Sequence, residues 1–355
     1  MSFSVIVRPS GRNFSVEDGE TVLAAALRQG IGIAYSCKNG ACGSCRGKLI
    51  EGSVVHGPHT TSALSPEDEA RGMALFCCAR PQSDLVIEAR ELTGFGDIPI
   101  RKMPVRVARI ERAAPDVAIV TLQLPATERL QYLAGQYLEF ILRDGTRRHY
   151  SIATPPHADE QLQFHIRHMP GGIFTDNLFG SGAQPIKERD ILRVEGPMGA
   201  FFLREDSPRP IILLAGGTGF APIKALAEHI FAEGVNRAGS GKLLRPVTLY
   251  WGARSRADLY MHELPARWAQ EQPNFRYVPV LSEAKPEDGW DGRPGLVHRA
   301  VMEDFPDLSA HQVYACGAPL MIDAARHDFV TVCGLPEDQF HADAFTSQAD
   351  LARAA

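Results

Sequence analysis

The sequence predicts a multidomain protein of the α+β and α/β classes, because three patterns of secondary structure follow one another along the chain. Residues 1–93 combine alternating strands with one short helix. Residues 103–206 carry many short strands separated by turns, which favours an antiparallel β-barrel. Residues 207–355 alternate buried apolar strands with helices, as parallel α/β sheets do. A length of 355 residues is consistent with two to three such domains.

The first pattern begins with the alternating strand SFSVIVRP and a second strand around Arg12–Val16. A helix is predicted for TVLAAALRQ, since Thr21 is a good N-terminal cap and Gly30 lies just past the last turn. The run GKLIEGSVV and the closing strand DLVIEARE complete this segment. A short stretch that contains Gly and Pro, residues 94–102, is expected to be a linker.

In the second and third patterns the strands are separated by recognisable turns. The expected strands of the barrel are PVRVARIER, VAIVTLQL, YLEFIL, RRHYSIA, QLQFHIRH and ILRVEGP. In the last segment the strand PIILLA leads through GGTGFAP into the helix IKALAEHIFAEG, and VTLYWGAR, RYVPVLS and QVYACGAP are further buried strands. This order predicts a Rossmann-like domain at the C-terminal end.

The overall composition is that of an ordinary globular chain, with 45% apolar and 22% charged residues. A net charge of −5 gives no reason to expect nucleic acid or a membrane surface as a partner. No apolar run approaches the roughly 20 residues needed to span a bilayer. The first residues begin directly as a strand rather than as a leader peptide, so we expect a cytoplasmic protein.

Four cysteines have the spacing of a plant-type [2Fe–2S] site: Cys37, Cys42, Cys45 and Cys77. The first three read C-x4-C-x2-C, and the fourth follows after 31 intervening residues. Glycines between and after them, Gly40, Gly43 and Gly47, would let the loop bend around a small inorganic core. Structural zinc would need a second short Cys/His pair, and disulfides fit poorly with seven cysteines.

Cys78 lies next to Cys77 and is an alternative fourth ligand. The segment LFCCARPQSDLVIE resembles plant-type ferredoxins, in which the ligand precedes a Pro and a strand, and counting back from Pro81 gives Cys77. Adjacent strand residues point to opposite faces, so we assign Cys78 to packing. The whole segment 1–93 resembles the β-grasp ferredoxin fold.

The middle segment resembles the flavin domain of the ferredoxin-NADP reductase superfamily, through RHYS and the later HIR and GGIFT. The resemblance implies that Tyr150 packs against an isoalloxazine, that Ser151 hydrogen-bonds near its reactive nitrogen, and that Arg148 holds the cofactor phosphate. It implies a second phosphate-binding part at His165, Arg167, Gly171, Gly172 and Thr175. Arginine forks and glycine backbones suit phosphate. Taken singly, RHYS could be an ordinary strand and GG a simple turn. FAD is expected, and FMN is the alternative.

The glycine-rich motif after PIILLA predicts a site for a pyridine nucleotide. Gly216, Gly217, Thr218 and Gly219 would form a tight turn under a diphosphate at the start of a helix, and Pro222 suits the first helical turn. Pro222 replaces the last glycine of G-x-G-x-x-G, and GTGFAP is the form typical of this superfamily. Arg254 and Arg256 could hold a 2′-phosphate or be solvated. NADH is expected, with NADPH possible.

Two motifs near the C-terminus complete the resemblance. The motif YACGAP implies that Cys316 and Gly317 lie against the nicotinamide, and DAF implies that Phe345 is a C-terminal aromatic that shields the flavin. The bland alternatives are a buried small residue and a core phenylalanine. With Tyr150 and Ser151, these side chains are the catalytic candidates.

Over its length the chain resembles three-domain ferredoxin–flavin–NAD(P)H reductases, among them the CDP-6-deoxy-Δ3,4-glucoseen reductases and the reductase components of oxygenases. The family implies hydride transfer from NADH to FAD and single-electron transfer through [2Fe–2S] to a partner protein. That partner is expected to be a pyridoxamine-phosphate sugar dehydratase, or alternatively a Rieske or di-iron oxygenase. A redox sensor and a haem-linked flavin reductase are competing hypotheses. Three cations beside the cluster loop would favour an acidic docking face, unless they are only solvated: Lys38, Arg46 and Lys48.

Overall fold

The computed structural model describes residues 2–92, 98–126, 129–158, 161–242 and 244–345. Thr93 and residues 94–97 of the expected linker lie outside these ranges. The chain divides into two compact units. Unit 1 contains the described residues up to Pro99 and from Asp343 onward, and unit 2 spans Ile100–Ala342.

Unit 1 is a small α+β fold. Its elements are β1 (Phe3–Arg8), β2 (Asn13–Val16), α1 (Val22–Arg28), β3 (Arg46–Glu51), β4 (Val54–His56), α2 (Pro66–Ala70), β5 (Met73–Leu75), β6 (Ala79–Pro81) and β7 (Leu85–Glu88). The main sheet has the order β2-β1-β7-β3-β5, and β4 pairs with β6 in a separate ribbon. β1 and β7 are parallel, whereas the pairs β1–β2, β3–β7 and β3–β5 are antiparallel.

The predicted helix of unit 1 is confirmed. Thr21 caps α1 through a hydrogen bond from the Ala24 backbone N–H to its hydroxyl, at 3.3 Å. In β1 the side chains of Val5 and Val7 are fully buried while their neighbours point outward, as the alternation in the sequence predicts. The helix covers this buried face, and the cluster loop runs from the end of the helix to β3.

Unit 2 begins with an antiparallel sheet. Its elements are β8 (Arg101–Ala114), β9 (Val117–Gln123), β10 (Tyr137–Ile141), β11 (Arg147–Ser151), β12 (Gln161–Arg167), α3 (Ile173–Phe179) and β13 (Ile191–Met198). The strand order is β11-β10-β13-β8-β9-β12. The edge strands approach each other, because the Ala153 N–H just after β11 donates to the Gln163 carbonyl of β12 at 2.8 Å. The sheet therefore curls back on itself, as a barrel requires.

The rest of unit 2 is a parallel α/β layer. Its elements are β14 (Ile211–Gly216), α4 (Phe220–Ala232), β15 (Val247–Ala253), α5 (Glu263–Glu271), β16 (Phe275–Leu281), β17 (Arg293–Pro294), α6 (Val297–Asp304), β18 (Gln312–Gly317), α7 (Pro319–Thr331) and β19 (Phe340–Ala344). The strand order is β17-β16-β15-β14-β18-β19. The chain adds β15 to β17 on one side of β14 and then β18 and β19 on its other side. Such a switch point opens a crevice beyond the carboxyl ends of β14 and β18, where α/β sheets bind ligands.

Among the described residues, none of the helices combines the length and the hydropathy that a bilayer crossing demands.

Candidate functional site

The four predicted cluster ligands lie together in unit 1, and we call them the thiol site: Cys37, Cys42, Cys45 and Cys77. Each is less than one-tenth exposed. Cys37 and Cys42 are hydrogen-bonded to each other, and so are Cys45 and Cys77. The Cys77 backbone N–H also points at the Cys45 sulfur, at 3.4 Å.

This pairing fits a binuclear cluster, because each of its two irons takes two thiolates. No group of three or more metal-ligating side chains surrounds one point in the described part of the chain, as a mononuclear site would require. The hydrogen bond from Cys37 lowers the pKa of Cys42 to about 6 and raises the pKa of Cys37. A thiolate is therefore already favoured within this pair, and thiolates are the form that binds iron.

Glycines shape the thiol site as the sequence predicts. Gly40 and Gly43 have φ of 79° and 70°, a left-handed conformation that other residues rarely adopt. A Cβ at Gly47 would lie 2.4 Å from the Phe76 ring and 2.6 Å from the Glu88 carbonyl. A side chain at Gly47 would thus overlap its neighbours, whereas Gly43 is favoured by its backbone conformation and not by lack of space.

The predicted flavin residues lie along β11 of unit 2. The Tyr150 ring packs against Phe140 and Phe174, with ring centroids 5.2 Å apart in both pairs. Its burial raises the pKa of the phenol well above its usual value, so Tyr150 is a neutral hydrogen-bonding group. Ser151 is buried at the end of the strand, and the Arg148 guanidinium reaches the Arg147 carbonyl at 2.8 Å.

The second predicted phosphate-binding part forms the turn into α3. Gly171 has φ of 83°. A Cβ at Gly172 would lie 2.7 Å from the Thr175 hydroxyl and 2.8 Å from the Met169 carbonyl. Thr175 closes this turn by donating to the Met169 carbonyl at 2.9 Å. No side chain caps the N-terminus of α3 among the described residues, so its first backbone N–H groups are available for an anion.

In the parallel layer, the predicted nucleotide motif forms a tight turn between β14 and α4, which we call the glycine turn (Gly216–Gly219). Gly217 has φ of 53°. A Cβ at Gly219 would lie 2.1 Å from the Cys316 carbonyl of β18, so only glycine fits. Pro222 lies in the first turn of α4, as predicted. At its three glycines the turn thus presents backbone without side chains to the switch-point crevice, as close approach to a diphosphate demands.

Aromatic side chains support the glycine turn from behind. Phe220 stacks on Trp251 with centroids 3.9 Å apart, and the Trp251 indole N–H donates to the Gly217 carbonyl at 3.0 Å. The turn is therefore held by fixed groups before any ligand arrives.

Two residues of β12, predicted for the flavin, lie against the parallel layer. His165 is 4% exposed, and its Nδ1 is 2.8 Å from the Tyr260 hydroxyl. Its Nε2 is buried and has no hydrogen-bond partner in the described part of the chain. Burial lowers the pKa of His165 to about 3, so the ring is neutral. The Arg167 guanidinium lies 3.3 Å from the position that a Cβ of Gly217 would take.

Charged groups fix Arg167 in this place, since it is 3.0 Å from Asp116 and 3.8 Å from Asp258. Sequence reasoning missed the partners Tyr260, Trp251 and Asp258. The only local sequence signal for Asp258 was the turn SRAD after β15. In this turn the Ser255 hydroxyl donates a hydrogen bond to the Asp258 carboxylate at 3.0 Å. Sequence reasoning also missed Lys224 of α4, whose buried ammonium donates to the Ala153 carbonyl at 3.1 Å.

The remaining predicted residues are scattered. Cys316 is completely buried at the end of β18. Arg254 is exposed after β15, and Arg256 donates to the Asp288 carbonyl at 3.2 Å. Phe345 directly follows β19 and is partly buried. The rest of the expected C-terminal tail, residues 346–355, lies outside the described residues.

The three cations near the thiol site differ in their surroundings. Lys38 lies 5.4 Å above the Tyr35 ring. Arg46 pairs with Asp68 at 3.3 Å and is 25% exposed, whereas Lys48 is exposed on β3. Only part of the predicted positive charge is thus directed to solvent.

Comparison with known families assigns a domain to each segment. Residues 5–82 match the 2Fe-2S iron-sulfur cluster binding domain, residues 104–203 the oxidoreductase FAD-binding domain, and residues 213–327 the oxidoreductase NAD-binding domain.

Whole-length relatives carry the same three parts. The chain is 41% identical to the CDP-6-deoxy-L-threo-D-glycero-4-hexulose-3-dehydrase reductase of Yersinia pseudotuberculosis, over 97% of this chain and 99% of that protein. It is 34% identical to reductase component 1 of the terephthalate 1,2-dioxygenase of a Comamonas species, over 98% of both chains. The crystal structure of the Amycolatopsis cytochrome P450 reductase GcoB matches with a TM-score of 0.75 and 34% identity, over 97% of this chain and 99% of that chain.

The fold and the site thus define an iron–sulfur flavoprotein oxidoreductase that carries [2Fe–2S], FAD and NAD(P)H. The cofactors fit the residues present, because the thiols meet in two pairs and the glycine turn has no room for a Cβ. The chain belongs to the three-domain ferredoxin/FAD/NAD(P)H reductases of the ferredoxin-NADP reductase superfamily. It transfers electrons from NAD(P)H through FAD and [2Fe–2S] to an electron-accepting partner.

Proposed function

We propose that this reductase supplies single electrons to a pyridoxamine-phosphate-dependent sugar dehydratase. The carrying observation is the 41% identity, over 97% of the chain, to a reductase whose name specifies a hexulose dehydrase as its acceptor. The second candidate acceptor is a Rieske or di-iron oxygenase. It is favoured by 34% identity to a dioxygenase reductase component over 98% of the chain.

In this proposal the thiol site holds the cluster, with Cys37 and Cys42 on one iron and Cys45 and Cys77 on the other. The hydrogen-bonded pairing of the thiols supports the assignment. Backbone N–H groups such as that of Cys77, which points at the Cys45 sulfur, would stabilise the extra electron of the reduced cluster.

For the flavin, we propose that Tyr150 packs against the ring system, that Ser151 bonds its reactive edge and that Arg148 binds the phosphate. The neutral, tightly packed Tyr150 supports this role, since an aromatic wall orients a planar ring. The turn at Gly171, Gly172 and Thr175 would bind the diphosphate through backbone N–H groups. When bound, FAD accepts two electrons together as a hydride and releases them singly.

His165 and Arg167 have a different set of neighbours, and we propose that they act at the boundary with the parallel layer. The unpartnered Nε2 of His165 is a buried hydrogen-bonding atom that a bound cofactor would satisfy. Arg167 lies beside Gly217, where a guanidinium would neutralise a nucleotide phosphate.

We propose that the pyridine nucleotide lies over the glycine turn, Thr218 and the start of α4, with Pro222 in its first turn. The supporting observations are the three glycines of the turn, which leave its backbone open to close approach, and its place at the switch point. Cys316 and Gly317 would then lie at the nicotinamide end, and Phe345 would shield the flavin. NADH is the proposed donor, because Arg256 is already bonded to the Asp288 carbonyl and Arg254 alone would remain for a 2′-phosphate.

We also propose functional domains at residues 1–93, 103–206 and 207–355, joined through a linker at 94–102. The exposed end of Pro99–Ile100 before the strand β8 supports a boundary there. A cytoplasmic location is proposed because the seven cysteines, all of them among the described residues, form no disulfide with one another.

The acceptor can be identified by crosslinking. The holoenzyme would be reduced with dithionite, crosslinked in lysate of the source cells, and the captured chain identified by mass spectrometry. The identified protein would then be purified and tested for NADH-driven reduction by this reductase. A sugar dehydratase that is reduced supports the proposal, whereas an oxygenase that is reduced overturns it in favour of the second candidate.

A further inference from the structure

A fifth thiol lies against the thiol site. Cys78 is 8% exposed, and its sulfur is 3.6 Å from the Cys77 sulfur and 3.5 Å from the Pro58 carbonyl oxygen. A Cβ at Gly40 would come within 2.7 Å of the same sulfur, so Cys78 lies directly against the cluster loop. A thiol fills more of this buried space than alanine would, and it also adds one hydrogen-bond donor.

The backbone holds Cys78 firmly in this place. Its N–H donates to the Leu75 carbonyl at 2.9 Å, and its carbonyl accepts from the Gly57 N–H at 3.0 Å. These two hydrogen bonds to main-chain groups fix the position of the Cys78 backbone beside Cys77. Its single S–H hydrogen therefore has two acceptors within reach, the Pro58 carbonyl and the Cys77 sulfur.

The charge on Cys77 decides between the two acceptors. In the cluster-loaded protein Cys77 is a thiolate, and hydrogen bonds to an ionised acceptor are roughly twice as strong as those to a neutral one. Hydrogen bonds to ligand sulfurs are one of the factors that set the reduction potential of an iron–sulfur cluster. Such a bond favours the reduced state, in which the sulfurs carry more negative charge.

We propose that Cys78 tunes the cluster by donating an S–H···S hydrogen bond to the Cys77 sulfur, which raises the reduction potential. This inference rests on the proposed ligand set. Cys78 acts through Cys77 and is a positioning residue, not a ligand and not a carrier of electrons.

The test compares Cys78→Ala with Cys78→Ser in the full-length holoenzyme. Serine keeps a donor of similar size, whereas alanine removes it. Iron and sulfide per chain should be unchanged in both variants. In an EPR-monitored redox titration, Cys78→Ala should lower the ratio of reduced to oxidised cluster about threefold at the potential where the wild-type protein is half reduced. Cys78→Ser should restore most of that ratio.

Two outcomes would overturn the inference while leaving the ligand set intact. One is an unchanged midpoint in Cys78→Ala, and the other is an equal shift in both variants, which would indicate lost packing. Failure of the ligand set would look different, because Cys78→Ala would then lose its iron while Cys77→Ala retained it.

The wild-type protein gives an independent measurement if the variants fold poorly. The infrared S–H stretch of a thiol that donates to a ligand sulfur should shift when the cluster is reduced. A thiol bonded only to the Pro58 carbonyl should keep its band, and that result would overturn the proposal.

Discussion

At the thiol site of unit 1, four buried sulfur atoms meet within one loop and the strand region that follows it. At the glycine turn of unit 2, three of the four residues have no side chain, and at Gly219 the space that a Cβ would need is filled by the Cys316 carbonyl. The first region depends on what its side chains are, and the second depends on the absence of side chains at its three glycines. Their tolerance to substitution should therefore differ in kind.

The two regions also differ in where their support comes from. The thiol site is held by contacts within unit 1, such as the Cys77 N–H that points at the Cys45 sulfur. The glycine turn is supported by Trp251 of the next strand and by Arg167 and His165 of the antiparallel sheet. The thiol site is thus formed mainly by a local motif, whereas the glycine turn depends on packing between the two sheets of unit 2.

The largest effect is expected from Cys45→Ser, which should abolish the function of the thiol site and leave that of the glycine turn intact. Cys45→Ser should remove the cluster, since one thiolate of the Cys45–Cys77 pair is lost. NADH–ferricyanide activity should survive, because that acceptor can take electrons before the cluster. Electron delivery to the protein partner should fall to background. Iron analysis and both activities check this, with Cys333→Ala as a control that removes a buried thiol elsewhere. Loss of both activities together would contradict the order of carriers.

A smaller loss is expected from Gly219→Ala. The added methyl would lie 2.1 Å from the Cys316 carbonyl, so β18 and the turn must move apart, at a cost of about 1–3 kcal/mol. NADH–ferricyanide turnover should fall about five- to a hundredfold while the cluster content stays intact, since about 1.4 kcal/mol corresponds to a factor of ten. The control is Gly239→Ala, where no atom lies within 4 Å and only the φ of 78° opposes alanine, whereas Gly219 has an ordinary φ of −58°. Equal losses in both variants would show that the contact with the Cys316 carbonyl is not the cause.

Lowering the pH should destabilise unit 2 through His165, and this effect should be smaller than those of the two substitutions above. Its folded-state pKa is about 3, whereas the unfolded chain titrates near 6.5. Between these pH values His165 is protonated in the unfolded state and neutral in the folded state. The free energy of unfolding therefore falls as the pH falls below 6.5. We expect wild-type unit 2 to lose about 2 kcal/mol more than His165→Asn between pH 7 and pH 5. Thermal or urea unfolding over this range measures it, and parallel curves would show that His165 is not buried neutral in solution.

The smallest effect concerns the cations beside the thiol site. Lys48→Glu should weaken association with the acceptor protein a few-fold at low salt, with no difference at high salt, because exposed charges act mainly on encounter. The exposed Lys187→Glu in unit 2 is the control of equal charge change. Salt-independent association in the wild-type protein would remove Lys48 from the docking face.

The sequence predicts the local features of both regions well. The spacing of Cys37, Cys42 and Cys45, the cap at Thr21 and the strand–turn–helix through Gly216–Gly219 are short-range patterns with direct physical causes. It does not predict contacts made across sheets. His165 and Tyr260 are separated by 95 positions, and no local property of either residue indicates that they meet. Cys78 is similar, because its closeness to Gly40 depends on how two loops fold onto each other.

The outward face of β12 contacts the parallel layer of unit 2 through regularly spaced side chains. At every second residue it presents a side chain to a different part of the parallel layer. Gln163 borders a cavity of about 740 Å³ beside Lys224, His165 meets Tyr260, and Arg167 reaches Gly217. These positions repeat about every 7 Å, so a one-residue shift in register that includes all three would turn them inward together. Single-residue insertions should therefore be far rarer in this strand than in any loop of unit 2.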